Sequence, residues 1–219
     1  MSHPLIRILS GFAASAIVAL MATAPAHAAD KLVYQVQHSK YGNIGTYTNT
    51  IEKDGDATTV TTQGEVKVSV LGVVLYRQEI SRVEKWDGDR LMSFHGVTTV
   101  NGKAFEINGE AEGDHFRVAT PTRSFSAPLA VRMANPWSPN VLKGDMVMTP
   151  DRGTLESVRV GGGKETSVAL GTKTVRAKQY EIDRADGSKR YEVWLDERGT
   201  PVKFNMVNAQ GTVTFSLAL

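Results

Sequence analysis

From Lys31 to Leu219 the dominant regularity along the chain is alternation of apolar and polar residues, interrupted by Gly, Asn and Asp. A period of two marks a strand with one face on a core, because successive side chains leave the backbone on opposite sides. "KLVYQVQH" (31–38) sets Leu32, Tyr34 and Val36 against Val33, Gln35 and Gln37, and "VKVSV" (66–70) alternates as strictly. Turn signals separate such runs: Asp54-Gly55-Asp56, Gly72, Asp87-Gly88-Asp89, Asn101-Gly102, Gly113-Asp114, Gly161 to Gly163, Gly171, Ala185 to Gly187, Arg198-Gly199 and Ala209 to Gly211. Gly and Asn tolerate the positive φ that tight hairpin turns demand. The pattern predicts an all-β fold, a single antiparallel meander of about a dozen strands. Such a sheet must curl into a barrel or half-barrel, because strongly twisted open sheets rarely exceed ~10 strands. Between Pro121 and Pro150, five prolines around "NPWSPN" (135–140) predict an irregular connection rather than strand or helix.

Two stretches break the rule. In "RQEISRVEKW" (77–86) one alternate set is Arg77, Glu79, Ser81, Val83 and Lys85; the other is Gln78, Ile80, Arg82, Glu84 and Trp86. Neither set is apolar, and "NIGTYTNTIEK" (43–53) also lacks an apolar face. An exposed strand would keep its charges in water. Alternatively, Gln78, Arg82 and Glu84 face a polar cavity walled by Ile80 and Trp86. Arg82 and Glu84 are two apart on one face, close enough to pair, and burying either charge alone is costly. Exposed charged strands are commoner than buried ion pairs, so the surface reading is favoured and the cavity is the rival.

Composition adds a compartment. Arg7, the apolar run "ILSGFAASAIVALMA" (8–22) and Ala26-His27-Ala28 form a secretory signal with cleavage expected after Ala28. The apolar run is shorter than the ~20 residues of a bilayer span, so no membrane span is expected after cleavage. The prediction is a signal peptide over 1–28 and one antiparallel β domain over 29–219, located in the periplasm. Without Arg7 the chain holds 24 basic and 23 acidic residues, which gives no electrostatic reason to expect nucleic acid or an anionic membrane surface as partner. The chain has no cysteine, which excludes disulfides, thiol chemistry and cysteine metal ligands.

Signals for catalysis are absent. His38, His95 and His115 show no metal-ligand spacing, and no Gly-x-Ser-x-Gly elbow is present. "VGGGKETS" (160–167) lacks phosphate-loop spacing, so a hairpin turn is the better reading. Glu192 and Asp196 lie on a charged strand with nothing to show that they meet in a cleft. Trp137 is either an exposed partner anchor or a plug closing one end of the barrel. The plug is favoured because Trp is usually well buried.

Several stretches together resemble an uncharacterised family of exported bacterial proteins, the domain-of-unknown-function family 6134. They are "GNIGTYTNTIEKDGDATTV", "LYRQEISRVEKWDGDRL", "VNGKAFEINGEAEGDHF", "NPWS", "YEVWLDERGTPVKF" and "GTVTFSLAL". The resemblance spans nearly the whole chain after the signal and implies a periplasmic β-sheet protein without an agreed activity. In architecture alone, the succession of strands is similar to the half-barrels of periplasmic lipoprotein carriers, which shelter acyl chains. The resulting expectation is a non-enzymatic protein that binds a lipid or small amphiphile in a curved sheet, without a cofactor. Its ligand-binding residues would be Ile80, Arg82, Glu84, Trp86 and Trp137. The alternative is an envelope scaffold with a solid core that docks a protein partner, and a cryptic hydrolase ranks third.

Overall fold

The computed structural model describes residues 29–188 and 190–219. The expected signal peptide lies outside them. In chain order the strands are β1 (Asp30–His38), β2 (Gly42–Asp54), β3 (Ala57–Val70), β4 (Val73–Asp87), β5 (Arg90–Val100), β6 (Lys103–Glu112), β7 (His115–Ala119) and β8 (Ser124–Pro128). They continue as β9 (Arg132–Met133), β10 (Met146–Met148), β11 (Leu155–Leu170), β12 (Lys173–Arg184), β13 (Arg190–Leu195), β14 (Pro201–Asn208) and β15 (Gly211–Leu217). Alternation sets their faces as expected: in β1, Tyr34 and Val36 are fully buried while Gln35 and Gln37 are exposed.

All fifteen strands belong to one sheet. Its middle is the pairing of the first and last strands, with Tyr34 opposite Leu217 and His38 opposite Val213. From there β1 to β8 form one antiparallel arm and β15 back to β9 form the other, with β9 and β10 the single parallel pair. The edges β8 and β9 are not hydrogen-bonded to each other, yet only residues 129–131 join them. Four Cα steps reach at most ~14 Å, so the two edges must approach and the sheet must curl round without closing. Of the two expected forms, the open one is realised.

The segment between β9 and β10, including a short 3₁₀ turn at Pro139–Leu142, packs inside the curve. Two apolar clusters meet around it. Tyr34, Tyr47, Val66, Val193, Phe204 and Phe215 belong to one, and Val60, Trp86, Phe94, Phe116, Met133 and Trp137 to the other.

Two local expectations are corrected. The 121–150 connection contains the short strands β8, β9 and β10 and the 3₁₀ turn. Gly161 to Gly163 is no hairpin turn: β11 runs straight through it with a bulge between Gly162 and Lys164. Gly162 has φ of 103°, and a Cβ there would lie 2.8 Å from the Gln179 carbonyl oxygen, so glycine permits a bulge rather than a reversal.

Candidate functional site

Strand register brings the unusual residues together. On the concave face Tyr47, Gly64, Ile80 and Thr98 form one row across β2 to β5. The next row is Asn49, Thr62, Arg82 and Gly96, followed by Ile51, Val60, Glu84 and Phe94. Polar residues thus occupy the middle of a buried surface.

Asn135 is the hub that satisfies them. Its Nδ2 donates to Glu84 Oε1 at 2.7 Å and to Thr62 Oγ1 at 3.2 Å. Its Oδ1 accepts from the Tyr47 hydroxyl at 2.9 Å and from Asn49 Nδ2 at 3.3 Å. The Thr62 hydroxyl in turn donates to Asn49 Oδ1 at 2.7 Å. Glu84 Oε2 accepts from the indole N–H groups of Trp86 and Trp137, each at 3.0 Å, and the two indoles meet edge to face at 5.8 Å. Glu84 is fully buried with three donors on its two oxygens, the kind of satisfaction a buried polar group requires. Burial pushes the Glu84 carboxyl above its ordinary value, against the pull of these donors and of the Arg82 charge. Burial likewise pushes the Tyr47 phenol up to about 12.

Arg82 is the member left incomplete. It is only 4% exposed, and Nη2 donates to the Thr98 hydroxyl at 3.2 Å. Its Nε has no hydrogen-bond partner. Among the described residues no carboxylate lies within 4.0 Å of the guanidinium. Gly96 stands opposite Arg82, where a Cβ would sit 3.2 Å from Arg82 Cγ and 2.7 Å from the Phe94 ring, so glycine makes room for the Arg82 stem.

Arg82 borders a cavity of about 690 Å³. Val36, Ile44, Ile80, Phe204 and Phe215 supply apolar wall, while Ala134 and Pro136 of the inner segment bound it beside Asn135. Lys40, Tyr41, Leu75 and Arg152, all exposed, stand at its mouth. The size falls within the ~300–1,000 Å³ typical of small-molecule sites, as does an apolar lining with few polar groups.

The structure separates the five expected site residues into two sets. Ile80 and Arg82 line the cavity; Glu84, Trp86 and Trp137 do not, and form the hydrogen-bonded layer with Asn135. Trp137 is buried and borders a separate cleft of about 390 Å³ with Ile51 and Arg198. The preference for a surface strand is overturned for Arg82, Glu84 and Trp86, which are buried because the inner segment brings their partners. The expected Arg82–Glu84 pairing is not formed either, since each bonds to neutral groups. Sequence reasoning missed Tyr47, Asn49, Thr62, Thr98 and Asn135. A signal existed in the failure of "TYTNT" to show an apolar face, but its partners depend on register.

Among the described residues no group of three or more His, Asp or Glu could hold a metal ion, and no helix is long and apolar enough to cross a membrane.

A search of curated proteins finds no match. Among solved structures, the chain is similar to a β-barrel-like protein of the domain of unknown function DUF1849 from Brucella abortus. The TM-score is 0.65 at 10% identity, covering 86% of this chain and 94% of that one. At that identity the likeness concerns the fold alone, and it supports a barrel-like curl of the sheet. The family model for the domain of unknown function DUF6134 matches residues 34–218, nearly all of the described chain. The chain belongs to the DUF6134 family.

Proposed function

We propose that this is an exported, periplasmic binding protein that holds an anionic amphiphile in the open half-barrel, the head group at Arg82 and the apolar tail between Ile80, Phe204 and Phe215. The carrying observation is a buried guanidinium, without a carboxylate partner among the described residues, on the wall of an apolar cavity of about 690 Å³. A desolvated charge without an ion-pair partner is costly, and a carboxylate or phosphate ligand would repay that cost on binding. Export rests on the N-terminal pattern of Arg7, apolar run and Ala26-His27-Ala28. No reaction is required: the cavity retains its ligand by burial and one charge-assisted contact.

The test is titration with a fluorescent long-chain fatty acid and with its uncharged methyl ester. Charge-assisted hydrogen bonds contribute ~1.5–3 kcal/mol, so the acid is expected to bind about 10- to 100-fold more tightly than the ester. Arg82→Gln should remove that difference while leaving ester binding little changed. Equal affinity of the wild type for acid and ester would rule out Arg82 as the head-group site.

A further inference from the structure

The hairpin joining β3 and β4 projects beyond its neighbours. The last β2–β3 pair is Gly45 with Val66, and the last β4–β5 pair is Gln78 with Val100. From Val68 to Tyr76 the ribbon pairs only with itself, with a bulge after Val68. A lone two-stranded ribbon gains little stability in water, and an exposed apolar one invites aggregation. This one nevertheless carries Val70, Leu71, Val73, Val74 and Leu75 exposed, Leu71 completely so.

The tip residue is also a poor choice for folding. Leu71 and Gly72 have φ of 51° and 81°, nearly the values of Asn101 and Gly102, at 48° and 80°. Turns with positive φ at both central positions favour Asn-Gly, and left-handed backbone is unfavourable for a leucine. The chain uses Asn at one such turn and a fully exposed Leu at the other. Folding gives no reason for that exchange, whereas a contact outside the protein does.

We infer that the β3–β4 tip is a docking element that inserts into the interfacial region of a phospholipid bilayer. Val73, Val74 and Leu75 are consecutive, so their side chains cover both faces of the ribbon. A protein groove accepts one face, while the headgroup–acyl boundary accepts apolar groups from every side to a depth of ~5–10 Å. The base of the ribbon offers little net charge, because Arg77 is paired with Glu79 at 2.8 Å and Glu65 at 3.3 Å. Attachment is therefore driven by apolar burial, in keeping with the nearly neutral chain. Leu75 of the same ribbon stands at the cavity mouth, with Tyr76 and Val68 lining the cavity behind it, so insertion would bring that mouth to the membrane. The inference stands on the ribbon itself, and its failure would leave ligand binding in the cavity untouched.

Flotation with vesicles of phosphatidylethanolamine and phosphatidylglycerol tests it. The wild-type protein is expected to float, with a partition coefficient that changes less than about threefold between low and high salt. Leu71→Asn with Val73→Thr should lower the partition coefficient at least tenfold. The same variant should keep or raise the thermal midpoint, because it installs the preferred Asn-Gly turn. A wild type that stays with the aqueous phase would overturn the proposal, as would a variant that floats equally well. So would light scattering that shows a wild-type dimer dispersed by Leu71→Asn, with no flotation of either: the tip would then be a self-association surface.

Discussion

Trp137→Ala is expected to lower the unfolding free energy by about 3–5 kcal/mol, in the range of large aromatic truncations in cores. The indole is 8% exposed and packs edge to face on Trp86 within the cluster that includes Phe94 and Met133. Truncation leaves a void on the concave face and removes one of the two donors to Glu84 Oε2. The lost volume dominates, because a single hydrogen bond contributes ~1 kcal/mol net. Trp137→Phe keeps most of the volume and separates the two effects, with an expected cost nearer 1–2 kcal/mol. Denaturant unfolding of both variants checks this. A Trp137→Ala cost within about half a kcal/mol would mean the inner segment is a surface loop.

Glu84→Ala is expected to cost a similar ~3–5 kcal/mol for a different reason. Three donors, from Asn135, Trp86 and Trp137, lose their acceptor in a region without water access, and Arg82 loses the nearest compensating charge. Glu84→Gln keeps one oxygen but turns an amide N–H₂ toward a donor, so it too should destabilise by ~1–3 kcal/mol. Combining Glu84→Gln with Arg82→Gln should cost at least ~1 kcal/mol less than the two single losses together, since both buried charges leave at once. Acid titration adds a sign. Burial raises the Glu84 carboxyl above its ordinary 4.5, so folding favours its protonated form relative to the unfolded chain. The contribution of Glu84 is then fully present below pH 4.5 and is lost as pH rises through its folded-state value. The stability advantage of wild type over Glu84→Gln is therefore expected to be largest in acid and to shrink toward neutrality. An advantage that grows with pH would show that the three donors outweigh burial.

The strands were legible because alternation is a local property of the sequence, and the paired Gly and Asn signals marked most reversals. β1 and β3 follow their patterns closely. Three glycines at 161–163 looked like a reversal because a bulge and a turn ask for the same positive φ; only the pairing of β11 with β12 tells them apart. The face of β4 was misjudged for a related reason. Gln78, Ile80, Arg82, Glu84 and Trp86 share one face, but whether that face meets water depends on Asn135 and Trp137, more than fifty residues away. The mismatch between period and polarity located the unusual strand, while its partners were set by register across four strands. The long proline-rich connection announced itself by composition, yet nothing in "NPWSPN" says that its Asn would complete a buried network.

The hydrogen-bonded layer and the cavity wall draw on different residues of neighbouring rows. Glu84, Trp86, Trp137 and Asn135 are satisfied among themselves and hold the curved sheet to its inner segment. Arg82, in the adjoining row, borders the cavity and has an Nε without a hydrogen-bond partner.

Native mass spectrometry of the protein recovered from cells that express the full chain, combined with solvent extraction of whatever travels with it, bears most directly on the cavity. A reproducible mass shift that disappears on extraction, with an acidic lipid or amphiphile in the extract and no shift for Arg82→Gln, is the predicted result. A protein that runs at its apo mass, and stays there after incubation with extracts of the cell envelope, would contradict the account.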